Sequence, residues 1–465
     1  ERVGVGGRAD RRGLARWPGA GGEEPEEGGS SRVTGGGACV GRAEDKGLAA
    51  PVAGGITSQR KGLVPGERNG VPLSSGLHWR DRRTAMPARS GMLGAAMRLL
   101  SGEDGTLTAL LGLSQGNVLR EAYPEAYKSA AHMLTITGWL TLKLTDSLRD
   151  AQGSIAGVYP FDVKKGDWRT SAKLFQLTGY RREVLPDLCP AGAELGRITS
   201  RAAEETLLPV GMPLIAVGGD KQAEVLGSGV TPQSGPVAEI SLGTGASLSL
   251  VQRRVKNSLT FRWLANPAAQ PRAWSHEYMV FRGFWMYTWF LEQFGSHLRQ
   301  QAEEEGRSLE EVLSDEAGAV PPGSEGLLVL PRWYPTLEDL TERGAVVGFA
   351  ENHTRAHMAR ALIEGIVMDL RRGAELMQAS FAPRLERLRI GGGGAQSRWI
   401  IQTVADVFDL PVEIPHTPEL SALGAAINAA VAAGIHADHT SAAKAMVRID
   451  ELVEPDPGNV VLYNR

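Results

Sequence analysis

The chain has 465 residues, which is enough for two domains of ordinary size with a hydrophobic core each. Its 50 basic and 53 acidic residues nearly balance, so no electrostatic field favours nucleic acid or an anionic membrane, and no run of about 18 apolar residues could span a bilayer. Cys39 and Cys189 are the only cysteines and lack metal-ligand spacing, which excludes a disulfide framework, predicts no protein-only metal site and favours a reducing cytoplasm.

The first segment, residues 1–54, has an atypical composition. Residues 1–50 are rich in glycine, arginine and glutamate, and they contain no isoleucine, phenylalanine or tyrosine. Such a segment buries too little apolar surface to offset the entropy lost on ordering. We therefore expect residues 1–54 to be disordered or poorly packed.

Helices are predicted next, over 89–100 and 121–144, from apolar residues at helical spacing. An apolar strand at 213–217 then leads through two glycines to Asp220. Because active sites of open α/β sheets lie at the carboxyl ends of strands, Asp220 is a candidate catalytic residue. On these residues alone, the alternative that Asp220 caps the following helix stays open.

A turn-rich link at 231–236 predicts a boundary between one domain over 55–230 and a second over 236–465. The second domain begins with two alternating apolar runs that are joined by Gly243, Thr244 and Gly245. This pattern predicts a β-hairpin whose tip could close on a phosphate, with Thr244 offering a hydroxyl. A plain turn is the alternative.

A second glycine turn lies later in the chain, after a long helix predicted over 354–380. Residues 388–390 predict a short strand, 391–397 read Gly-Gly-Gly-Gly-Ala-Gln-Ser, and the apolar residues that follow predict a helix. The two glycine turns could hold the two ends of one nucleotide, although either could be a mere packing turn. A dinucleotide fingerprint is excluded because the G-x-G-x-x-G spacing is missing.

Several motifs, taken in order from about residue 55 to 434, resemble the FGGY family of carbohydrate kinases, which includes glycerol kinases and xylulokinases. They are Ile-Thr-Ser-Gln-Arg at 56–60, Trp-Arg-Asp-Arg-Arg at 79–83, Gly-Gly-Asp at 218–220, Ser-Leu-Gly-Thr-Gly at 241–245, Arg-Ala-Leu-Ile-Glu-Gly at 360–365, the glycine turn at 391–397 and Ala-Leu-Gly-Ala-Ala at 422–426. Phe-Arg-Gly-Phe-Trp-Met at 281–286 is similar to a glycerol-kinase-like branch of the family.

The resemblance implies an α/β fold of two ribonuclease-H-like domains, of the actin and hexokinase type, facing across a cleft. It implies ATP-dependent phosphorylation of a sugar or polyol hydroxyl, with Mg²⁺ bound together with the ATP. Asp220 would then accept the proton of that hydroxyl. The implied nucleotide-binding residues are Gly243, Thr244, Gly245, Gly283, Gly393, Gly394 and Ser397.

On the substrate side, the resemblance implies sugar contacts for Arg60, Lys61, Asp81 and Lys221. Lys61 stands where the similar glycerol-kinase motif has a glutamate, and an ammonium group cannot accept hydrogen bonds, which argues against glycerol itself. Lys221 stands where glycerol kinases carry glutamine, and it could contact the sugar, the phosphate or only solvent. Asp81 could instead pair with Arg82.

The family also implies an Asp-x-Gly-Thr type loop near the amino terminus, which nothing in residues 1–54 resembles. We expect either an artefactual amino terminus or a catalytically impaired relative that binds nucleotide and sugar. A filament protein on an actin-type fold is a further alternative, but it would leave the Arg60 and Asp81 motifs unexplained. The expected partners are ATP and a small sugar or polyol, without nucleic acid or membrane. The identity of the sugar and the formation of a homodimer stay open.

Overall fold

The computed structural model of the protein describes residues 49–79, 81, 83–86, 106–256, 258, 262–334, 336, 339, 341–381 and 384–465. The predictions for most of the first segment and for a helix over 89–100 fall on residues outside these ranges.

The described residues form helices and strands that alternate along most of the chain. The helices are α1 Thr106–Gly112, α2 Gln115–Ala122, α3 Pro124–Ser129, α4 Ile136–Thr145, α5 Ala172–Thr178, α6 Ser200–Thr206, α7 Asp220–Gly227, α8 Trp285–Phe294, α9 Leu298–Glu305, α10 Leu309–Ala319, α11 Arg355–Gln378, α12 Arg398–Phe408, α13 Leu420–Ala432, α14 His439–Met446 and α15 Pro457–Tyr463. The strands are β1 Gly54–Ser58, β2 Val64–Gly66, β3 His132–Leu134, β4 Arg149–Ala151, β5 Phe161–Asp162, β6 Asp167–Trp168, β7 Asp187–Cys189, β8 Glu194–Arg197, β9 Pro213–Gly219, β10 Val237–Leu242, β11 Ala246–Gln252, β12 Leu264–Pro267, β13 Trp274–Val280, β14 Leu328–Leu330, β15 Ala345–Val347, β16 Arg387–Gly391, β17 Val412–Pro415 and β18 Ile449–Val453.

The prediction of one helix over 121–144 is wrong. Pro124 has no backbone N–H, and it lies at the first turn of the separate helix α3. Strand β3 then pairs antiparallel with β2, and Thr135 caps α4 by accepting a hydrogen bond from the Gly138 N–H. A pairing strand and a cap therefore interrupt a segment whose apolar spacing alone favours one helix.

The chain divides into two compact units, the first comprising residues 1–227, 266–273 and 419–446. In the described part of this unit, β1, β9 and β8 form a sheet in that order. β1 and β9 run parallel, with Ser58 opposite Gly219 at their carboxyl ends, and the Thr57 hydroxyl donates to the Gly218 carbonyl over 2.9 Å. The ends of two parallel strands therefore meet at one edge of this sheet.

Helices α7 and α13 of the first unit touch through their backbones. A Cβ atom added to Gly227 would lie 1.8 Å from the Leu420 carbonyl oxygen, and one added to Gly424 would lie 1.9 Å from that of Ala223. Any larger side chain at these two positions would force the helices apart. This contact explains why residues 419–446 pack with the first unit although they are distant in sequence.

We expect Gly424→Val to destabilise the first unit by about 2–3 kcal/mol, because the added methyl groups meet backbone that cannot rotate away. Urea unfolding measures the change in the free energy of unfolding. Ala432→Val is the matched control, since Ala432 is exposed on the last turn of the same helix and valine there costs only a few tenths of a kcal/mol of helix propensity. Equal effects of the two substitutions would contradict the close helix contact.

The second unit comprises residues 228–265, 274–418 and 447–465. Among its described residues, the main sheet has seven strands in the order β12-β13-β11-β10-β16-β17-β18. β10 and β11 form the predicted hairpin, and β16 lies parallel to β10 on the other side. The predicted long helix is confirmed as α11, and its Leu362, Ile366 and Leu370 are buried in the core of this unit.

These packing units differ from the predicted segments 55–230 and 236–465, because residues 266–273 and 419–446 lie within the first unit. The predicted domain limits themselves stay a prediction. In the described part of the chain, no helix has both the length and the apolar character needed to cross a membrane.

Candidate active site

Two parallel strands position the first group of predicted site residues. β9 ends at Gly219 and α7 begins at Asp220, while Arg60 follows the carboxyl end of β1. Because Ser58 and Gly219 are paired across the two strands, Arg60 and Asp220 leave the sheet at the same edge. The electrostatic influence of Arg60 on the Asp220 carboxyl agrees with this placement.

The side chain of Arg60 crosses directly over Gly219. A Cβ atom added to Gly219 would lie 2.2 Å from Arg60 Cγ and 2.5 Å from its Cδ. Only glycine therefore leaves room for the arginine stem at this point, beside the start of α7. The glycine before Asp220 in the sequence motif thus has a steric role.

We expect Gly219→Ala to lower kcat/KM for the acceptor by about tenfold to a hundredfold, because the new methyl group displaces Arg60 by about 1 Å. Steady-state kinetics with varied acceptor would measure this change. Gly54→Ala in the same sheet is the matched control, since the atom nearest its methyl group is the flexible end of Met212, at 3.1 Å. Unchanged kinetics in Gly219→Ala would show that the position of Arg60 does not matter.

The surroundings of Asp220 shift the pKa of its carboxyl group. Burial raises the pKa of the Asp220 carboxyl above its ordinary value, although the charges of Arg60 and Lys221 oppose that shift. Asp220 Oδ1 accepts a hydrogen bond of 2.8 Å from the Lys221 backbone N–H. A carboxylate whose pKa lies closer to neutrality is a better general base than an ordinary aspartate.

Lys221 and Asp81 are both engaged by neighbouring side chains. Lys221 Nζ donates to Glu224 Oε2 over 3.0 Å within the same helix. Asp81 is held by Arg83, whose Nε donates to Asp81 Oδ1 over 3.0 Å. Burial alone would raise the pKa of Asp81, but the bonds from Arg83 lower it overall. The alternative partner Arg82 lies outside the described residues.

Lys61 is half-buried beside Asp81. Its backbone carbonyl accepts a hydrogen bond of 2.8 Å from Gln115 Nε2, and its side-chain carbons lie 3.4–3.7 Å from a Cβ atom built on Gly157. Burial lowers the pKa of the Lys61 ammonium group, although the charge of Asp81 opposes that effect.

Gln222 is a residue of this edge that the sequence analysis missed. Its side chain is 2% exposed, and Oε1 has no hydrogen-bond partner among the described residues. Oε1 would lie 2.7 Å from a Cβ atom on Gly219, next to the stem of Arg60. Its position two residues after Asp220 was the only sequence signal, and a glutamine there is equally typical of an ordinary helix.

The two predicted glycine turns lie side by side in the second unit. β10 and β16 are parallel neighbours, with Ser241 opposite Gly391, so the hairpin tip and the turn after β16 leave the sheet together. Gly392 packs on Leu242 just before the hairpin tip, and a Cβ atom on it would lie 2.7 Å from the Leu242 carbonyl. Thr244 is exposed at that tip. The two glycine turns that the sequence analysis assigned to the two ends of one nucleotide therefore lie close together.

The remaining predicted nucleotide residues differ in their exposure. Gly393 is exposed, and no atom lies within 4 Å of a Cβ built on it. Gly394 is buried beneath Phe284, whereas Ser397 precedes α12 and its hydroxyl lies 3.3 Å from that of Ser314.

Gly283 is buried against the hairpin. A Cβ atom on Gly283 would lie 2.2 Å from the Ala246 nitrogen, so this glycine is required for packing. Gly245, on the hairpin tip, is half-buried next to that contact. A direct contact of Gly283 with nucleotide stays a prediction.

Comparisons with family models support the resemblance stated above. The model of the FGGY family of carbohydrate kinases, N-terminal domain, matches residues 45–227. The model of the C-terminal domain of the same family matches residues 238–433. The two matches follow one another in the order expected for the family.

Similar proteins and solved structures agree with the family models. The uncharacterised sugar kinase YgcE of Escherichia coli (strain K12) is 29% identical over 367 residues, which cover 79% of this chain and 74% of that protein. A xylulose kinase of Lactococcus lactis subsp. lactis (strain IL1403) is 28% identical over 418 residues, covering 88% of this chain and 80% of that protein.

Two solved structures show the fold. The ligand-bound xylulose kinase from Lactobacillus acidophilus has a TM-score of 0.75 and 17% identity, covering 93% of this chain and 86% of that chain. Plasmodium falciparum glycerol kinase with ADP has a TM-score of 0.69 and 18% identity, with the same coverages of 93% and 86%. The prediction of a two-domain α/β fold is confirmed, and nothing in these comparisons favours the catalytically impaired alternative. The chain belongs to the FGGY family of carbohydrate kinases and is an ATP-dependent carbohydrate kinase.

Proposed function

We propose that Asp220 is the general base that removes the proton from the acceptor hydroxyl. The observation that carries this proposal lies at one edge of the first unit's sheet. There the Arg60 side chain crosses Gly219, and its charge acts on the Asp220 carboxyl group. As the phosphoryl group bonds to the acceptor oxygen, that hydroxyl becomes acidic, and the carboxylate of Asp220 takes its proton. The charge of Arg60 favours the ionised form of Asp220 against the effect of burial, and its guanidinium group would orient the acceptor.

We propose that the paired glycine turns of the second unit bind ATP. The hairpin tip at Gly243, Thr244 and Gly245 offers backbone N–H groups and a hydroxyl to the phosphates, and the open surface at Gly393 leaves space for the adenosine. Among the described residues, no group of three or more His, Cys, Asp or Glu side chains is placed to hold a metal ion. We infer that Mg²⁺ would be held mainly by the nucleotide phosphates, where it would neutralise their charge.

We propose that the acceptor is a polyol or ketose other than glycerol. Lys61 presents an amine where a carboxylate would accept hydrogen bonds from glycerol, and Asp81 is already engaged by Arg83. Gln222 Oε1, which has no hydrogen-bond partner among the described residues, would accept from an acceptor hydroxyl group, and Lys61 Nζ would donate to one. We place the enzyme in the cytoplasm because its cysteine content is low.

The proposal is tested by a coupled ADP-release assay with ATP and Mg²⁺ over a panel of polyols, ketoses and their deoxy analogues. We expect turnover with one of these classes and little with glycerol. Lys61→Glu should raise kcat/KM for glycerol relative to the preferred acceptor by about tenfold, since one good polar contact is worth about 1.4 kcal/mol. Lys164→Glu, at an exposed turn of the same unit, is the matched control. Glycerol as the best acceptor of the unaltered protein would refute the proposed acceptor class.

A further inference from the structure

The backbone of Lys61 has a conformation that residues other than glycine rarely adopt. Its φ is 58°, in the left-handed region, where the Cβ atom crowds a neighbouring carbonyl oxygen. Lys61 lies shortly after the carboxyl end of β1, in the segment proposed to contact the acceptor. Such conformations persist where the surrounding groups hold them, and they are frequent at ligand sites. The contacts that hold Lys61 therefore bear on how the acceptor is bound.

The side chain of Gln115 holds this backbone. Gln115 is the first residue of α2 and is 6% exposed. Its Nε2 donates a hydrogen bond of 2.8 Å to the Lys61 carbonyl oxygen, which fixes the direction of the peptide group that follows Lys61. The same Nε2 lies 3.5 Å from the His78 carbonyl oxygen, which accepts from the Asp81 backbone N–H over 2.9 Å. One amide thus lies between the segments that carry Lys61 and Asp81.

The start of α2 is itself fixed to the rest of the unit. Ser114 precedes Gln115 and is buried. Its hydroxyl lies 2.6 Å from the Thr178 carbonyl oxygen and 3.1 Å from that of Val158. A Cβ atom added to Gly116 would lie 2.6 Å from the Thr178 carbonyl oxygen, so the helix packs there directly against backbone. Gln115 therefore extends from a rigid support, which is what positions a binding group accurately.

The side chain of Lys61 is confined by the loop that Ser114 contacts. Gly157 precedes Val158 in this loop, and the Lys61 Cγ, Cδ and Cε atoms lie 3.4–3.7 Å from a Cβ atom built on it. The charge of Asp81 acts on the ammonium group at the end of this stem. The backbone and the stem of Lys61 are therefore both held, and together they determine where the ammonium group lies.

We propose that Gln115 is a positioning residue for the acceptor, because its amide holds Lys61 in the left-handed conformation and so sets the direction of the lysine side chain. This inference rests on the proposed function, in which Lys61 contacts the acceptor. Gln115 acts through Lys61 and has no role in the transfer of the phosphoryl group. The hold on Lys61 and its effect on the acceptor are tested separately.

Stability measurements without any acceptor test the hold on Lys61. Glycine adopts the left-handed conformation without strain and alanine does not, so Lys61→Gly should have a higher urea midpoint than Lys61→Ala. Gln115→Met keeps the length of the side chain and removes the donor, so this difference should be smaller in the Gln115→Met background. An equal difference in both backgrounds would overturn the proposal. Gln115→Asn, which withdraws the amide by one methylene, serves the same comparison if Gln115→Met does not fold.

Steady-state kinetics test the effect on the acceptor. For the best acceptor of the polyol and ketose panel, Gln115→Met should raise KM about tenfold while kcat and the KM for ATP stay within about twofold. Lys61→Ala combined with Gln115→Met should be no worse than Lys61→Ala alone, because Gln115 acts through the lysine. Additive effects, or an unchanged acceptor KM in Gln115→Met, would overturn the proposal. An absence of turnover with every acceptor would instead refute the proposed acceptor class, and the stability comparison would still decide whether Gln115 holds Lys61.

The matched control is Asn117→Leu, because Asn117 is a second buried amide on α2. Its Nδ2 donates to the Leu111 carbonyl over 3.0 Å and to the Leu177 carbonyl over 2.8 Å, and neither residue belongs to the acceptor segments. Asn117→Leu should lower the urea midpoint, as Gln115→Met does, but leave the acceptor KM within about twofold. Equal increases of KM in both variants would overturn the proposal, since they would indicate a general loosening of α2.

Discussion

Asp220→Asn should slow phosphoryl transfer by about a hundredfold to ten-thousandfold, the range that a positioned general base contributes. The asparagine keeps the shape of the side chain and can still accept from the Lys221 backbone N–H, but it cannot take a proton. Nucleotide affinity should change little, because the proposed ATP-binding turns belong to the second unit. Single-turnover kinetics measure the chemical step, and calorimetry with ATP measures the binding.

The control for this substitution is Asp146→Asn, which removes a carboxylate from an exposed position of the same unit. Asp146 has a left-handed backbone conformation at the end of α4, and asparagine tolerates that conformation well. This control should retain full activity. Turnover of Asp220→Asn within a fewfold of the unaltered protein would rule out Asp220 as the base.

The activity should also depend on pH through Asp220. Because burial raises the pKa of this carboxyl, the acidic limb of the kcat/KM profile should lie above the ordinary aspartate pKa of about 4. Activity is lost as pH falls through that raised pKa, since a protonated carboxyl cannot accept the hydroxyl proton.

Local patterns predicted much of the second unit and its candidate site. Alternating apolar residues interrupted by glycine predicted the hairpin around Thr244. A short apolar run, a glycine turn and apolar residues at helical spacing predicted the strand-turn-helix unit around Gly393. Such patterns involve residues that are neighbours along the chain, so they can be recognised in a single sequence. Their placement side by side requires only that β10 and β16 be neighbours in one sheet.

Contacts between distant segments were not predictable in this way. Nothing local indicates that the Arg60 stem passes over Gly219, or that α13 touches the backbone of α7 through Gly424. Nor does the sequence indicate that Arg83 donates to the carboxylate of Asp81. These contacts depend on the relative position of elements that many residues determine jointly.

The structure also reveals a buried acid that the sequence analysis did not consider. Asp150 on β4 is 0% exposed, and its Oδ2 accepts a hydrogen bond of 2.5 Å from the Thr135 hydroxyl. Its Oδ1 accepts a bond of 2.8 Å from the Ala151 backbone N–H. Burial raises the pKa of Asp150 to about 7, although these hydrogen bonds oppose the shift. A lone aspartate between Arg149 and Ala151 carries no sequence signal of such burial.

This buried acid should make the first unit less stable as pH rises. In the unfolded chain, the pKa of an aspartate is about 3.9, so the folded state binds the Asp150 proton more tightly. The resulting stabilisation is fully present below pH 4 and is lost as pH rises through about 7. Linkage predicts a loss of about 2–3 kcal/mol in the free energy of unfolding between pH 5 and pH 8.

Asp150→Asn should remove this pH dependence, because an amide does not titrate in that range. The measurement is urea unfolding of both proteins at pH 5 and pH 8, and the decisive quantity is the change with pH in their stability difference. The contributions of other titrating groups cancel in that comparison. At pH 5, Asp150→Asn should have a lower free energy of unfolding than the unaltered protein. At pH 8, this difference should be smaller by about 2–3 kcal/mol. Asp146→Asn, which removes an exposed aspartate, should show no such recovery. A stability difference between Asp150→Asn and the unaltered protein that stays constant from pH 5 to pH 8 would mean that Asp150 ionises in the folded state near its ordinary pKa.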